Sequence, residues 1–387
     1  MKRLRAFMAT ALFALLVLFI FTMMGGGPEV HASSSLGEAK SGPSGVALLA
    51  DNLPVSESQT GTSAIGLRGG GNWTMLTNMR QGVRQVNGGG YSGGFVYVPG
   101  GLINTGPNFQ NTMQFYDIAN GRWRIDNEAM PLTLTDAAIC TDAGGNIHVI
   151  NGFDSGMSLN SSHMVYDPSA DAGSRWSTAA APAVGGNNFY SQGSGCVVID
   201  RYLYLFGGLG NIGAGSPAAL SATWVWNPMT DSWSDTGFSM NTARYWFGYG
   251  DKSNNGYVAG GTDGSGPTPL ASTERFTPGS GWQALMDLPM GLLSPGLVGT
   301  ENGPMVFGGG FYNGTNYVLQ TATYLCDGSC PPSASWNNTA INLNTGRWFA
   351  AYAGGPPEGP FVGGGYPVGT NGSLKTSERF QAPIITK

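Results

Sequence analysis

Cys196-Val197-Val198-Ile199-Asp200-Arg201-Tyr202-Leu203-Tyr204-Leu205-Phe206-Gly207-Gly208 reads as two apolar strands folded back on one another and stopped by a glycine pair. β-Branched and aromatic residues favour extended backbone, and Asp200-Arg201 between the two runs is a turn. A long polar loop follows. Thr223-Trp224-Val225-Trp226 then gives a third strand, Asn227-Pro228-Met229-Thr230-Asp231 a turn, and Ser232-Trp233-Ser234 a fourth.

The same punctuation recurs along the chain. Glycine pairs or their equivalents stand at Gly100-Gly101, Asn151-Gly152, Gly207-Gly208, Gly260-Gly261, Gly308-Gly309 and Gly363-Gly364, 48 to 56 residues apart. Repetition at one period fixes the architecture before any local assignment does: six copies of a four-stranded unit make an all-β chain. No segment after the N-terminal apolar run has a convincing helical period.

After each pair comes an aromatic (Tyr116, Tyr166, Trp226, Phe276, Tyr324 or Phe380) and, in five units, a tryptophan (Trp123, Trp176, Trp233, Trp282 or Trp336). This pattern resembles the kelch motif from about Trp73 to Phe380, and Met240-Asn241-Thr242-Ala243-Arg244 leading to Val258-Ala259-Gly260-Gly261 is close to bacterial secreted kelch repeats. The second unit departs from the pattern with Asn151 in the first glycine place. The resemblance implies a β-propeller, each unit one blade. The expected fold is a six-bladed kelch β-propeller at 71–387, with blades near 80–125, 132–180, 190–236, 243–285, 292–338 and 346–383 plus 71–78. The sixth unit has no tryptophan strand of its own, whereas Asn72-Trp73-Thr74-Met75-Leu76 has no unit, so the Trp73 strand is expected to complete the last blade and seal the ring.

The N-terminus reads as a targeting segment. Lys2-Arg3-Leu4-Arg5 is basic, Ala6 to Met24 is apolar, and Val30-His31-Ala32 is a small-residue cleavage pattern. Residues 1–32 are therefore expected to be a signal peptide, with an uncleaved anchor as the alternative, and residues 33–70, rich in Ser and Gly, a flexible lead-in. The chain is expected to be secreted, monomeric and free of the membrane after cleavage. With 63 glycines, 11% charged residues and a formal net charge of −5, it is turn-dense and ill suited to nucleic acid.

Four cysteines suit an oxidising compartment. Cys326 and Cys330 are expected to form a local disulfide, and Cys140 and Cys196, at equivalent places in neighbouring units, to be two buried thiols.

The resemblance also raises two chemistries, the copper-radical galactose oxidases and the sialic acid mutarotases. Copper in the former is held by two histidines and two tyrosines. Here His31 lies in the leader and His148 and His163 share one unit, which reads as packing rather than a metal pair, so no metal or cofactor is expected. Neither a nucleophile elbow, nor HExxH, nor a phosphate loop is present. Glu274-Arg275 and Glu378-Arg379, at equal places in the fourth and sixth units, read as pairs within a strand.

One constellation remains. Arg84, Arg244 and Arg347 each lie sixteen residues before the first motif position of their units, on connections expected to open on one face, where they could converge on an anionic or polyhydroxyl ligand or else brace their own blades. The loops of that face, Asn104–Asn111, Asp154–Asn160, Asn211–Ser221, Asp263–Ser272, Phe311–Gln320 and Tyr366–Leu374, carry aromatics such as Phe109, Tyr312 and Tyr366 among small polar residues. The expected role is a binding module for a protein or glycan ligand through this face. The rival is a carbohydrate-active enzyme of mutarotase type in the central channel, or, further off, a galactose-oxidase-like protein without copper. An apolar plug in the channel would favour binding.

Overall fold

The computed structural model describes residues 71–103, 108–354, 359–367 and 372–381. The leader and lead-in read from residues 1–70 lie outside them. Among the described residues every regular element is a β-strand.

Six four-stranded antiparallel sheets follow the six repeats. Sheet one is Gly90–Ser92, Phe95–Pro99, Met113–Asp117 and Arg122–Ile125; sheet two is Ala138–Thr141, Ile147–Ile150, His163–Tyr166 and Trp176–Thr178. Sheet three is Gly195–Ile199, Tyr202–Phe206, Ala222–Asn227 and Ser232–Ser239; sheet four is Gly248–Lys252, Asn255–Ala259, Thr273–Thr277 and Gly281–Ala284. Sheet five is Gly296–Thr300, Gly303–Phe307, Thr323–Leu325 and Asn337–Asn338. Sheet six is Ala351–Ala353, Phe361–Gly363 and Ser377–Gln381, and its fourth strand is Asn72–Met75, paired Trp73 to Phe380 and Asn72 to Gln381. First strands of successive sheets pack side by side, that of the sixth against that of the first.

A seventh four-stranded sheet, Ala183–Val184, Asn187–Gln192, Leu209–Ile212 and Ala218–Ala219, grows out of the connection between sheets two and three and the loop after Gly207-Gly208. Its first hairpin turns at Gly185-Gly186, with φ of 61° and 81°, the doubly left-handed turn that suits the twist of a two-strand ribbon. No counterpart was expected from the sequence.

The glycine pairs do one repeated task. In all six the first residue has φ between 57° and 69° and the second between 86° and 107°. The second N–H then donates to a carbonyl on the connection entering the next sheet: Gly101 to Leu134 (2.9 Å), Gly152 to Ser191 (2.7 Å), Gly208 to Arg244 (2.9 Å), Gly261 to Leu292 (2.8 Å), Gly309 to Arg347 (2.9 Å) and Gly365 to Val83 (2.7 Å). The sixth pair is therefore Gly364-Gly365, one place later than the sequence register; Gly363 is still the end of a strand. Asn151 keeps its place because asparagine is among the few side chains that tolerate the left-handed region.

Tryptophans tie the outer layer together. Trp282 donates from sheet four to Thr223 of sheet three (2.7 Å), Trp336 from five to Thr273 of four (3.1 Å), Trp73 from six to Thr323 of five (3.0 Å) and Trp123 from one to Ser377 of six (3.1 Å). Each acceptor pairs with the residue just before a glycine pair. Met113 holds that place in sheet one, and the Trp176 indole facing it has no protein partner.

Cys326 and Cys330 are bonded as expected. Cys140 and Cys196 are bonded too, contrary to the reading as separate thiols: equivalent places on the first strands of adjacent sheets bring their Cα atoms within 5.8 Å, inside disulfide reach.

Trp73 is 4% exposed and packs edge-on against Phe307 and Phe380. Trp73→Ala is expected to cost about 3–5 kcal/mol, read as a lowered urea midpoint; an unchanged midpoint would mean that the N-terminal strand is dispensable.

Candidate functional site

The connections entering the first strands share an end with the glycine pairs; the short turns between first and second strands lie at the other. At the glycine end, the residue opening each entry is left-handed: Gln85, Asp136, Gly193, Trp246, Ser294 and Phe349, with φ from 48° to 62°. These residues link head to tail. The N–H of Asp136 donates to Gln85 (2.8 Å), Gly193 to Asp136 (2.8 Å), Trp246 to Gly193 (3.0 Å) and Ser294 to Trp246 (2.8 Å), while Phe349 donates to the Ser294 hydroxyl (3.1 Å). Over this belt lies an apolar cluster of Leu209, Tyr245, Trp246, Leu293, Phe349 and Tyr366, flanked by Trp348 and Tyr317. The space between the first strands is plugged at this end.

Arg244 and Arg347 sit on the connections into sheets four and six, fully buried. Arg244 Nη2 meets Glu274 Oε1 at 2.7 Å, and its Nη1 donates to the carbonyls of Gly260 (2.9 Å) and Ser272 (2.8 Å). The carboxylate is completed by the Asn241 and Thr242 amides (2.7 and 3.1 Å). Arg347, Glu378, Asn344 and Thr345 repeat the arrangement, with Arg347 Nη2 again 2.7 Å from Glu378. Each glutamate thus pairs with an arginine of the preceding connection, not with Arg275 or Arg379 beside it in the strand.

Arg84 does not belong with these two. The carbonyl that receives the glycine-pair N–H is that of Val83 in the first repeat, where the fourth and sixth have Arg244 and Arg347. Arg84 therefore stands one place on, level with Tyr245 and Trp348, its guanidinium 5.0 Å from the Tyr366 ring and 3.1 Å from Ser373 Oγ. The expected convergence of three arginines on a ligand is corrected: two are braces whose donors face inward, and the third is buried in the plug. Gln114 takes the glutamate's place in sheet one and accepts from the Gln81 amide (2.8 Å).

His148 and His163 are both buried, Nδ1 to Nε2 at 2.8 Å, under the rings of Trp226 and Trp233. Burial, then the neighbouring His148, push His163 down to about 3. Asp142 reaches His148 Nε2 at 3.4 Å; burial would raise its carboxyl, but the His148 and Asn146 bonds outweigh that and hold it at about 2. The two imidazoles are hydrogen-bonded to each other within a hydrophobic layer, and among the described residues no His, Cys, Asp and Glu cluster could hold a metal. His163 fills the place that is Thr or Ser in four other sheets, so Trp233 of sheet three turns instead to the Ala180 carbonyl (2.8 Å).

Comparison with known proteins agrees with this geometry. Residues 192–236, the third repeat, match the family model of the kelch motif. The structure titled "Structure of YjhT" superposes with a TM-score of 0.62 at 14% identity, over 78% of this chain and 95% of that one, a likeness of fold. The third repeat is thus a kelch motif, and the chain as a whole shares the fold of that structure. No curated protein matches its sequence.

Among the described residues, a groove of about 720 Å³ is open at the glycine end beside the projecting sheet. Asn187, Asn188, Tyr190 and Asn211 form one wall, and Met157 and Ser158, from the expected recognition loop Asp154–Asn160, the other. None of its lining residues is charged. Of the aromatics read from sequence, Phe109 and Tyr312 are part-exposed, each beside one neighbouring ring, Phe153 and Tyr317 respectively; Tyr366 is 5% exposed within the plug and is not a surface residue. Asn187, Asn188 and Tyr190 went unnoticed in the sequence, although Gly185-Gly186 inside an unusually long interval was a hairpin signal.

Two measurements check these assignments. Glu274→Ala strands the Arg244 guanidinium in the interior and is expected to cost about 3–5 kcal/mol in urea unfolding; a loss below 1 kcal/mol would show the brace to be idle. His163 is neutral when folded and protonates near its ordinary value when unfolded, so its contribution is present above about pH 6.5 and is lost as pH falls toward 3, at up to about 1.4 kcal/mol per unit. His163→Thr, which restores the hydroxyl of the other sheets, should flatten stability against pH between 6 and 4; an unchanged slope would assign the acid sensitivity elsewhere.

Proposed function

We propose that the chain is a secreted, monomeric six-bladed propeller, its ring completed by the Trp73 strand, acting as a binding module through the glycine-end face. Six glycine-pair bonds that run from sheet six back to the connection into sheet one support the closed ring. Two disulfides support an oxidising destination.

One observation carries the binding reading. The glycine-end mouth, where a mutarotase-type site would need an open channel, is filled by Trp246, Phe349, Tyr245 and Tyr366, and the arginines nearby are engaged inside the protein. Among the described residues the groove is an accessible feature at that end, and its lining is amides, one phenol, small residues and the apolar Met157, Leu159 and Pro217, with no charge. Amides offer paired donor and acceptor to sugar hydroxyls, and the Tyr190 ring offers an apolar face. A neutral glycan suits it better than an anionic one, with a polar protein segment as the other ligand of this kind.

An array of neutral and sialylated glycans, probed with the wild-type chain and an Asn187→Ala, Tyr190→Ala, Asn211→Ala triple variant, tests this. Neutral glycans should be retained by the wild type and lost, at least tenfold, by the variant. Absence of any neutral binder, or equal binding by the variant, would overturn the glycan reading.

A further inference from the structure

The end of the molecule opposite the plug holds a second concavity, independent of the groove. A cavity of about 410 Å³ lies between the first strands and opens at the turn end. It is lined where those strands run into their turns: Thr141-Asp142 of sheet two, Asp251-Lys252 of four and Thr300-Glu301 of five, with Tyr91 from sheet one. Tyr249 and Tyr352 close its inner end. The Tyr249 hydroxyl donates to the Asn87 carbonyl (2.5 Å) and accepts from the Ile139 amide (2.8 Å), while the Tyr352 hydroxyl accepts from the Tyr249 amide (3.2 Å). Both phenols are thereby fixed by backbone on other sheets, and the cavity is blind.

Its volume is that of a small-molecule site, and its charge is one-sided. Asp142, Asp251 and Glu301 face a single cation, Lys252. Asp142 is committed to Asn146 and His148. Lys252 makes a long contact, 3.5 Å, with the Glu301 carbonyl rather than with a carboxylate. Asp251 and Glu301 are in none of the ion pairs among the described residues. Water reaches Asp251, yet protein hems it in, and this burial pushes its carboxyl up to about 6 against the smaller opposing effects of its own backbone N–H and Lys252. An unpaired carboxylate in a confined, net-negative space attracts a cation and repels an anion.

We propose that this turn-end cavity binds a small organic cation, its ammonium group held by Asp251 with Glu301 beside it. The cation enters from the turn end and stops above Tyr249 and Tyr352. The other titratable groups lining the cavity are Asp142, Lys252, Glu301 and the phenols of Tyr91, Tyr249 and Tyr352, with His148 behind Asp142. Asp142 is held at about 2, and burial keeps the Tyr249 and Tyr352 phenols protonated well above neutrality. Binding therefore weakens as pH falls through about 6, where Asp251 loses its charge.

Isothermal titration of the chain with putrescine, succinate and galactose at pH 8 and pH 5 tests the proposal. Putrescine should bind at pH 8, at least tenfold more weakly at pH 5 and in Asp251→Asn, while succinate and galactose give no heat. Should Asp251→Asn fail to fold in a thermal melt, Glu301→Gln must weaken putrescine at least threefold. The groove triple variant should bind putrescine as the wild type does, which separates this site from the glycan reading. No putrescine binding at pH 8, no loss in the carboxylate variants, or preferential binding of galactose or succinate would overturn it.

Discussion

The fold depends on one hydrogen bond made six times, from the second residue of each glycine pair to the connection entering the next sheet. That bond needs two successive left-handed residues and bare approach: a Cβ on Gly101 would stand 2.5 Å from Val86, and one on Gly208 2.2 Å from the Ser194 hydroxyl. Substituted side chains would therefore meet both a backbone penalty and a clash. Because the bond spans sheets, it sets how each sheet sits against the next, and so where the entry residues fall. Their left-handed belt follows from it, and the aromatic plug is built on the belt. Closure of the glycine end and opening of the turn end are consequences of one backbone geometry.

The outer layer repeats the principle with weaker stringency. Four tryptophans reach a hydroxyl on the preceding sheet, and the two exceptions are where the motif lost that hydroxyl to Met113 and His163. Trp176 is left without an acceptor, whereas Trp233 finds Ala180 on the segment leading to the projecting sheet. The irregular seam between sheets two and three is also the one crossed by the Cys140–Cys196 disulfide and the one from which the extra sheet emerges. A covalent link stands where the hydrogen-bonded pattern is broken.

The repeat and strand order were legible because they rest on local signals, glycine pairs and alternating apolar runs. The orphan Trp73 strand was legible by subtraction, since a four-stranded unit missing its last strand must find one. Register within a unit was less so. Gly363-Gly364-Gly365 offers two possible pairs, and only the φ values select the second. The same one-residue ambiguity misplaced Arg84: Val83 stands 17 residues before Gly100 where its equivalent Arg244 stands 16 before Gly260, and counting back from the glycines cannot see the extra residue. The Cys140–Cys196 bond was missed for a related reason: equal positions in adjacent repeats were read as equivalent environments rather than as neighbours across a seam.

Function was harder to read because the residues that look most chemical are the ones the fold consumes. Arg244, Arg347, Glu274, Glu378, His148 and His163 are each at most 2% exposed, and all of them meet side chains or backbone of this chain. In a protein with so few charged residues, a buried ion pair sealed by backbone amides is a means of fixing a connection, and its desolvation is tolerable only because every oxygen and N–H nearby is matched. The groups left for recognition are plainer: Asn187, Asn211 and Tyr190 at one end, Asp251 and Glu301 at the other. Neither set forms a motif in sequence: Tyr190 and Asn211 meet only through strand pairing within the projecting sheet, and Asp251 and Glu301 come from separate repeats that the sheet-to-sheet geometry brings to one cavity.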